Sequence, residues 1–256
     1  MGIVNVTPDS FSDGGLYLDP ELAVAHGHEL VAQGAAILDI GGESTRPGAE
    51  PVPAAEELAR VVPVIEGLAG GGAAISVDTS KRAVAEAALD AGAEIVNDVT
   101  ALRGDPEMAA LCAGRGATVV LMHMRGEPRT MQDAPVYEDV VREVGDFLAA
   151  RLEFAVAAGI AAERIWLDPG IGFGKTAEHN LELLRRLPEL AGLGRPLVVG
   201  TSRKSFIGQV DGSPAGERLG GTIATAVLAA ASGADVLRVH DVAEVGQALT
   251  VAAAII

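Results

Sequence analysis

Residues 196–208 read PLVVGTSRKSFIG, and this stretch indicates how the whole chain folds. It opens with an apolar run at residues 197–199, whose length and composition predict a buried strand. The run breaks at Gly200 into a polar turn that contains Arg203 and Lys204. A parallel strand that ends in this way presents backbone N–H groups and cations at the mouth of a sheet or barrel, where such folds bind anions. A solvated loop with two surface cations is the alternative, but the position directly after an apolar strand favours the anion site.

Short apolar runs of the same kind alternate with helical patterns along the chain. The other predicted strands lie at residues 3–6, 36–40, 74–77, 95–97, 118–122, 165–167 and 236–239. The predicted helices lie near residues 20–33, 54–69, 80–91, 105–114, 136–158, 177–187, 217–232 and 241–255. Several strands are apolar on both faces, which is typical of parallel strands covered by helices. Eight such units in 256 residues predict the α/β class and, within it, a single-domain (β/α)8 TIM barrel spanning residues 1–256.

The composition argues against several classes of protein. The net charge is −16 and no basic stripe occurs, which argues against nucleic acid and anionic membrane surfaces as partners. We find no apolar run of about 18 residues and no charged leader, so we expect neither a membrane span nor a signal peptide. The single cysteine, Cys112, is expected to be a packed side chain of a cytoplasmic protein. The helix at residues 222–232 is apolar almost all round, so we expect it to be buried or to form a homodimer contact.

Polar residues follow every predicted strand, and in a barrel these eight points lie on the one rim where barrel active sites are found. Asp78, Asn97 and Asp168, together with Lys204, suit a flat heterocycle with an amidine-like edge, because a carboxylate accepts two N–H bonds from such an edge. Each of the three strand-end residues, taken alone, is equally well explained as a helix cap or turn residue. A second set is expected to form a focused anion site in this negatively charged protein. Its members are Asn5, Arg46, Arg238 and His240.

Eight segments carry these residues in order: NVTPDSFSDGG, DIGGESTRPGA, SVDTSK, VNDVT, LMHMRG, LDPGIGFGKT, GTSRKSFIG and VLRVHDV. They resemble the matching segments of the dihydropteroate synthase family over residues 2–242, and the first two are long and specific. The resemblance implies a barrel that joins 6-hydroxymethyl-7,8-dihydropterin diphosphate to 4-aminobenzoate, with release of diphosphate, in folate biosynthesis. It also implies that sulfonamides bind as mimics of 4-aminobenzoate. One position departs from the family, Ala101 after NDVT, where glycine is common, and we expect only a local backbone effect.

The resemblance further implies a role for each residue. The pterin ring is assigned to Asp78, Asn97, Met122, Asp168 and Lys204. The diphosphate is assigned to Asn5, Thr45, Arg46, Arg238 and His240. The 4-aminobenzoate is assigned to Arg46, Phe173, Ser202 and Lys204, with Ser202 at the start of a helix. A magnesium ion that accompanies the diphosphate is assigned to Asn5. The catalytic set is Lys204, Arg238, Asn5 and Arg46, and loops 7–15 and 42–50 are expected to be the mobile pair that orders over the substrates.

Other functions compete with this interpretation. A Schiff-base aldolase would use Lys204 as its nucleophile, and would leave Asn5 and Arg46 without a purpose. A metal-dependent hydrolase is disfavoured because the first strand carries no His-x-His pair. A folate-dependent methyltransferase shares the carboxylates but has no need of the two arginines and the mobile loops. The non-enzyme alternative is a catalytically silent pterin-binding paralogue, against which the intact set of polar residues argues.

Overall fold

The strands form a closed parallel barrel. The computed structural model describes residues 1–7, 19–45, 48–126 and 130–255. Its strands are β1 Gly2–Asn5, β2 Ile37–Gly41, β3 Ala74–Asp78, β4 Ile95–Asp98, β5 Thr118–Met122, β6 Ile165–Asp168, β7 Val198–Val199 and β8 Val236–Leu237. Strands β1 to β6 pair in sequence order and β7 pairs with β8, all in parallel.

Two isolated bridges close the barrel. Leu167 of β6 bridges Leu197, just before β7, and Gly2 of β1 bridges Val239, just after β8. A hydrogen bond of 3.1 Å from Ile3 N to Val239 O reinforces the second seam. The predicted (β/α)8 barrel is therefore confirmed. Its last two strands are shorter than predicted, because their outer residues pair through single bridges instead of continuous ladders.

The helices lie where the apolar periodicity predicts them, with two additions. They are α1 Pro20–Ala32, α2 Ala54–Leu68, α3 Arg82–Ala91, α4 Met108–Arg115, α5 Val140–Ala157, α6 Ala177–Arg185, α7 Leu187–Ala191, α8 Ser205–Asp211, α9 Leu219–Ala231 and α10 Val242–Ala253. The apolar periodicity does not predict α7 and α8, because helices this short show no 3.6-residue period. A helix near α8 was expected only from the family resemblance, which places its start at Ser202. Cys112 is buried within α4, as predicted. Within the described ranges, no helix is both long and apolar enough to cross a membrane.

Side chains inside the barrel change from apolar to polar along the strands. A layer near the strands' amino ends packs Ile95, Val120 and Val198 against Trp166. Successive residues of one parity point to the same face of a strand, so the residue two positions further on also points inward. Ile37, Ala74 and Val236 also belong to this layer. Two positions beyond five of its members the residue is polar: Asp39, Ser76, Asn97, Asp168 and Arg238. The barrel thus holds its polar groups above an apolar plug, at the carboxyl ends of the strands.

Candidate active site

A cavity of about 480 Å³ opens at the carboxyl ends of the strands, a size typical of a small-molecule site. The predicted site residues that line it are Asn5, Thr45, Asp78, Phe173, Ser202, Lys204, Arg238 and His240. Three others, Asn97, Met122 and Asp168, are buried and are not part of the lining. Arg46 and most of loop 7–15 lie outside the described residues. The cavity therefore brings together predicted residues from six segments that are distant in sequence.

The strand register explains part of this convergence. Asn5 is aligned with Gly41, Gly41 with Asp78, and Asp78 with Asn97. These four residues form one row across β1, β2, β3 and β4. Asn5 and Asp78 of this row line the cavity, and Asn97 is buried beside Asp78.

A buried carboxylate that the sequence analysis does not single out lies below this row. Asp39 is fully buried. Its Oδ1 accepts from Ser76 Oγ at 2.6 Å, and its Oδ2 accepts from Asn97 Nδ2 at 3.1 Å and Arg238 Nε at 2.6 Å. A carboxylate only accepts, so Asp39 fixes the amide of Asn97 with its oxygen directed away from Asp39. The sequence signal that could have identified Asp39 is a charged residue at the centre of the apolar strand ILDIG.

Arg238 is held between two carboxylates. Besides the contact with Asp39, its Nη2 donates to Asp78 Oδ2 at 2.9 Å. Its Nη1 makes no hydrogen bond to any residue that the structure describes. Burial lowers the pKa of Arg238, but Asp39 and Asp78 outweigh burial and the net shift is upward. Arg238 is therefore a permanent cation with one nitrogen left for a ligand.

Asp78 has one oxygen paired and one unpaired. Its Oδ1 is buried and has no hydrogen-bond partner among the described residues. Burial raises the pKa of Asp78 to about 8, with Arg238 opposing the shift and Asp39 adding to it. A buried acceptor without a partner costs free energy, so its presence at a cavity wall indicates that a ligand donates to it.

Lys204 and Asp168 fix the opposite wall. Lys204 Nζ donates to Ile171 O and lies 4.5 Å from the ring centroid of Phe173, a cation–π geometry. Burial lowers the pKa of Lys204 to about 8, against the attraction of Asp168. Asp168 Oδ1 accepts from Gly170 N at 2.6 Å, and burial raises its pKa against the opposing charge of Lys204. Lys204 and Phe173 thus give this wall a cation and an aromatic ring, and the carboxylate of Asp168 is buried behind the lining.

Ser202 is bound to His240 and does not begin a helix. Its Oγ lies 2.9 Å from His240 Nδ1 and accepts from His240 N at 3.2 Å. The expectation that Ser202 stands at a helix start is wrong, since α8 begins at Ser205. The reason is Arg203, whose φ of 57° is left-handed and cannot belong to a right-handed helix.

An ion cluster anchors the segment that carries Thr45. Lys81 Nζ donates to Glu43 Oε2 at 2.6 Å and also to Glu57. Glu43 Oε1 in turn accepts from Val52 N at 2.9 Å. The cluster thus ties both ends of residues 43–52 to α2 and the start of α3. This cluster could not be predicted, because nothing local in the sequence marks the three charges as neighbours.

The one departure from the family motifs lies in a left-handed turn. Ala101 has φ of 54° and the following Leu102 has φ of 62°. Asp98 holds this turn, since its Oδ1 accepts from Thr100 N at 2.8 Å and its Oδ2 from Leu102 N at 2.9 Å. Glycine adopts such a backbone without steric cost, which accounts for a glycine preference at this position.

Comparisons with known proteins identify the family. Residues 1–240 match the family model described as pterin binding enzyme. The dihydropteroate synthase of Synechocystis sp. is 49% identical over 257 residues, which cover 100% of this chain and 89% of the relative. The crystal structure of the Yersinia pestis dihydropteroate synthase with a sulfonamide drug complex has a TM-score of 0.97 at 47% identity, covering 100% of this chain and 93% of that one.

A third relative is known with two different ligands. The Xanthomonas albilineans dihydropteroate synthase with 4-aminobenzoic acid has a TM-score of 0.93 at 52% identity, covering 100% of this chain and 92% of that one. The same enzyme in complex with 7,8-dihydropteroate has a TM-score of 0.89 at 49% identity, with the same coverage of 100% and 92%. This chain therefore belongs to the dihydropteroate synthase family of pterin-binding enzymes.

Proposed function

We propose that the chain catalyses the reaction of its family, in which 6-hydroxymethyl-7,8-dihydropterin diphosphate and 4-aminobenzoate give 7,8-dihydropteroate and diphosphate. The observation that carries the proposal is one cavity that combines the unpaired carboxylate oxygen of Asp78 with the cations Lys204 and Arg238. The Xanthomonas relative, which binds 4-aminobenzoic acid and 7,8-dihydropteroate, supports the same pair of ligands here.

In this proposal the pterin ring docks on the row formed by β3 and β4. Asp78 Oδ1 accepts from the ring's amidine-like N–H edge and so gains the partner that it lacks. Asn97, with its amide fixed by Asp39, offers an oxygen acceptor beside it. Asp168 and Lys204 bind the far edge of the ring, and Met122 packs against it. Met122 belongs to a buried apolar cluster that Phe173 joins.

The diphosphate is proposed to lie against Arg238, His240 and Thr45, with Arg46 completing the site. Asn5 is proposed to hold the accompanying Mg²⁺. The described residues contain no group of three or more His, Cys, Asp or Glu side chains able to hold a metal, and Asn5 offers one amide oxygen at the cavity. This donor set fits Mg²⁺, which is usually bound by one or two protein ligands, substrate phosphates and waters. When bound, Mg²⁺ would neutralise charge on the departing diphosphate.

The 4-aminobenzoate is proposed to lie between Phe173, Ser202 and Lys204, with Arg46 at its border. The ring of Phe173 provides an apolar face for the benzene ring. Lys204 and the hydroxyl of Ser202 provide donors to a carboxylate, which prefers cations and O–H or N–H groups. This placement directs the amine towards the pterin side of the cavity.

The chemistry then needs no strong base. The amine nitrogen attacks the methylene carbon of the pterin, the C–O bond to diphosphate breaks with its electron pair leaving on oxygen, and the nitrogen loses one proton to water. The barrier lies in the departure of diphosphate, which the free nitrogen of Arg238 stabilises as charge builds. The electron-rich dihydropterin shares the positive charge left on carbon beside the carboxylates of Asp78 and Asp168, so we propose a dissociative path.

Release of diphosphate with both substrates tests the proposed function. We expect release only when both are present, together with an equal amount of dihydropteroate detected by mass spectrometry. A silent paralogue would bind the pterin and release nothing. A folate-dependent methyltransferase would act on a methylated folate, and a Schiff-base aldolase would trap a carbonyl substrate on Lys204 with borohydride. Any of these three results without diphosphate release would contradict the proposal.

We also propose that the chain forms a homodimer through α9 and α10, which pack against each other. Their outer faces leave Leu228 64% exposed and Val251 57% exposed, more than apolar residues of this size usually show. Sedimentation at micromolar concentration should give a dimer, and Leu228→Glu should give a monomer. A monomeric parent protein would contradict this contact.

A cytoplasmic location is proposed as well. Cys112 is free and buried, which suits a reducing compartment. Cell fractionation should recover diphosphate-releasing activity with the cytoplasmic proteins, and its recovery in a secreted fraction would contradict the proposal.

A further inference from the structure

The loop after β6, residues 169–176, is held by side-chain hydrogen bonds to five consecutive carbonyl oxygens. Lys175 supplies two of them, since its Nζ donates to Gly170 O at 2.9 Å and Phe173 O at 3.0 Å. The other three are Lys204 to Ile171 O, Gln132 Nε2 to Gly172 O at 2.7 Å, and Tyr137 Oη to Gly174 O at 2.8 Å. This β6 loop carries Phe173 and is bound by donors from three other parts of the chain.

Lys175 is the buried member of this set. It is 3% exposed, and its third close contact is His123 Nδ1 at 2.9 Å. As an ammonium, Nζ donates to all three acceptors; as an amine, it donates to both carbonyls and accepts from His123. Burial, and then the neighbouring Lys175, lower the pKa of His123 to about 2, so the ring stays neutral. The contacts are satisfied in either protonation state of Lys175.

Two glycines show how closely the β6 loop packs on the segment after β5. Gly170 has φ of 66°, and a Cβ there would lie 1.9 Å from His123 O. Gly174 has φ of 61°, and a Cβ there would lie 2.5 Å from Arg125 O. Neither position accommodates a side chain without moving the backbone. Both ends of the segment between them therefore pack closely on the residues after β5.

We propose that Lys175 is a positioning residue that acts through Phe173 and sets the affinity for 4-aminobenzoate, an inference that rests on the proposed function. Lys175 does not line the cavity, whereas Phe173 does. Without the Lys175 amino group, the carbonyls of residues 170 and 173 lose their buried donor and the ring of Phe173 loses its fixed place. Asp78 is held by Arg238, which lies outside the β6 loop, so this part of the pterin side keeps its geometry. Asp168 and Lys204 contact the β6 loop through Gly170 N and Ile171 O, whose bonds do not involve Lys175, so we expect the larger effect on 4-aminobenzoate.

Steady-state kinetics of two variants test this proposal. Lys175→Met has the same reach and no donor, and should raise KM for 4-aminobenzoate by about tenfold, equivalent to ~1.4 kcal/mol. KM for the pterin diphosphate should stay within about twofold. Lys175→Gln keeps amide hydrogens, so it should fold even where Lys175→Met does not, and its KM for 4-aminobenzoate should rise by a smaller factor. Tyr137→Phe is the matched control, because it removes one hydrogen bond to the same loop, at Gly174 O, while both Lys175 bonds to the loop carbonyls remain, and it should leave both KM values within about twofold of the parent.

A double-substitution cycle distinguishes positioning from general loosening. In a Phe173→Ala background, Lys175→Met should add less than about twofold to KM for 4-aminobenzoate, because the residue it positions is gone. Equal rises in both KM values, multiplicative effects in the cycle, or parental KM values in both Lys175 variants would overturn the proposal. Absence of diphosphate release by the parent enzyme would instead refute the proposed function, and calorimetric titration of 4-aminobenzoate would still measure the effect of Lys175 on binding.

Discussion

Replacement of Asp39 by Asn removes a charge from the centre of the barrel while its hydrogen bonds can persist. The remaining carbonyl oxygen can take the place of Oδ2, which accepts from Asn97 at 3.1 Å and from Arg238 at 2.6 Å. The new NH2 group then faces Ser76, whose hydroxyl can reverse from donor to acceptor. Asp39→Asn is therefore a test of charge more than of hydrogen-bond number.

The magnitude follows from the contacts of Arg238. The hydrogen bond from Arg238 to residue 39 now has a neutral acceptor. A hydrogen bond to a charged acceptor contributes about 1.5–3 kcal/mol to stability, and a hydrogen bond to a neutral acceptor contributes less. Removal of the whole partner from a buried ion pair costs about 3–5 kcal/mol. Asp78 Oδ2 still accepts from Arg238 Nη2, and the repulsion that Asp39 adds at Asp78 disappears. We therefore expect the free energy of unfolding to fall by about 2 kcal/mol, below the full cost of a broken pair.

Urea unfolding at neutral pH measures this loss. The matched control is Ser76→Ala, which removes one hydrogen bond to the same carboxylate and should lower the free energy of unfolding by about 1 kcal/mol. An Asp39→Asn protein as stable as the parent, or less affected than Ser76→Ala, would refute the claim that Asp39 balances the buried charge of Arg238.

Three further predictions concern groups that line the cavity or hold a segment of its lining. Asp78→Asn should abolish pterin binding in calorimetry. It should also flatten the pH dependence of the free energy of unfolding. Because the pKa of Asp78 is raised in the folded state, the free energy of unfolding of the parent protein falls as pH rises from about 4 to about 8. Parental pterin affinity or an unchanged pH profile would contradict this prediction. Arg238→Ala should lower kcat by roughly 10²–10³-fold, and near-parental kcat would contradict the role of Arg238. It should also lower the free energy of unfolding by about 3–5 kcal/mol, since the buried carboxyl groups of Asp39 and Asp78 lose their cation. Lys81→Met should raise KM for the pterin diphosphate, because it releases the segment that carries Thr45, and unchanged KM would show that the ion cluster does not position that segment.

The sequence predicts the barrel well because its signals are local. Each strand is a short apolar run, and the helix over α5 shows Val140, Val144 and Leu148 on one buried face. Closure of the barrel is harder to predict from the sequence. It depends on single bridges at Leu197 and Val239, and a single bridge leaves no periodic pattern.

The cavity lining was predictable for residues at strand ends, because parallel strands bring these ends to one rim. Residues that act from beneath the rim were not predictable in this way. Asp39 becomes visible only when strand register places it next to Asn97 and Arg238, and Lys175 becomes visible only when the β6 loop folds over it. Both depend on tertiary contacts between segments that no local spacing connects.

A crystal structure of this protein with 7,8-dihydropteroate would test the central claim most directly. We predict that a pterin N–H lies about 3 Å from Asp78 Oδ1, and that the benzoate ring lies against Phe173. A product bound elsewhere, or one that leaves Asp78 Oδ1 without a partner, would contradict the account.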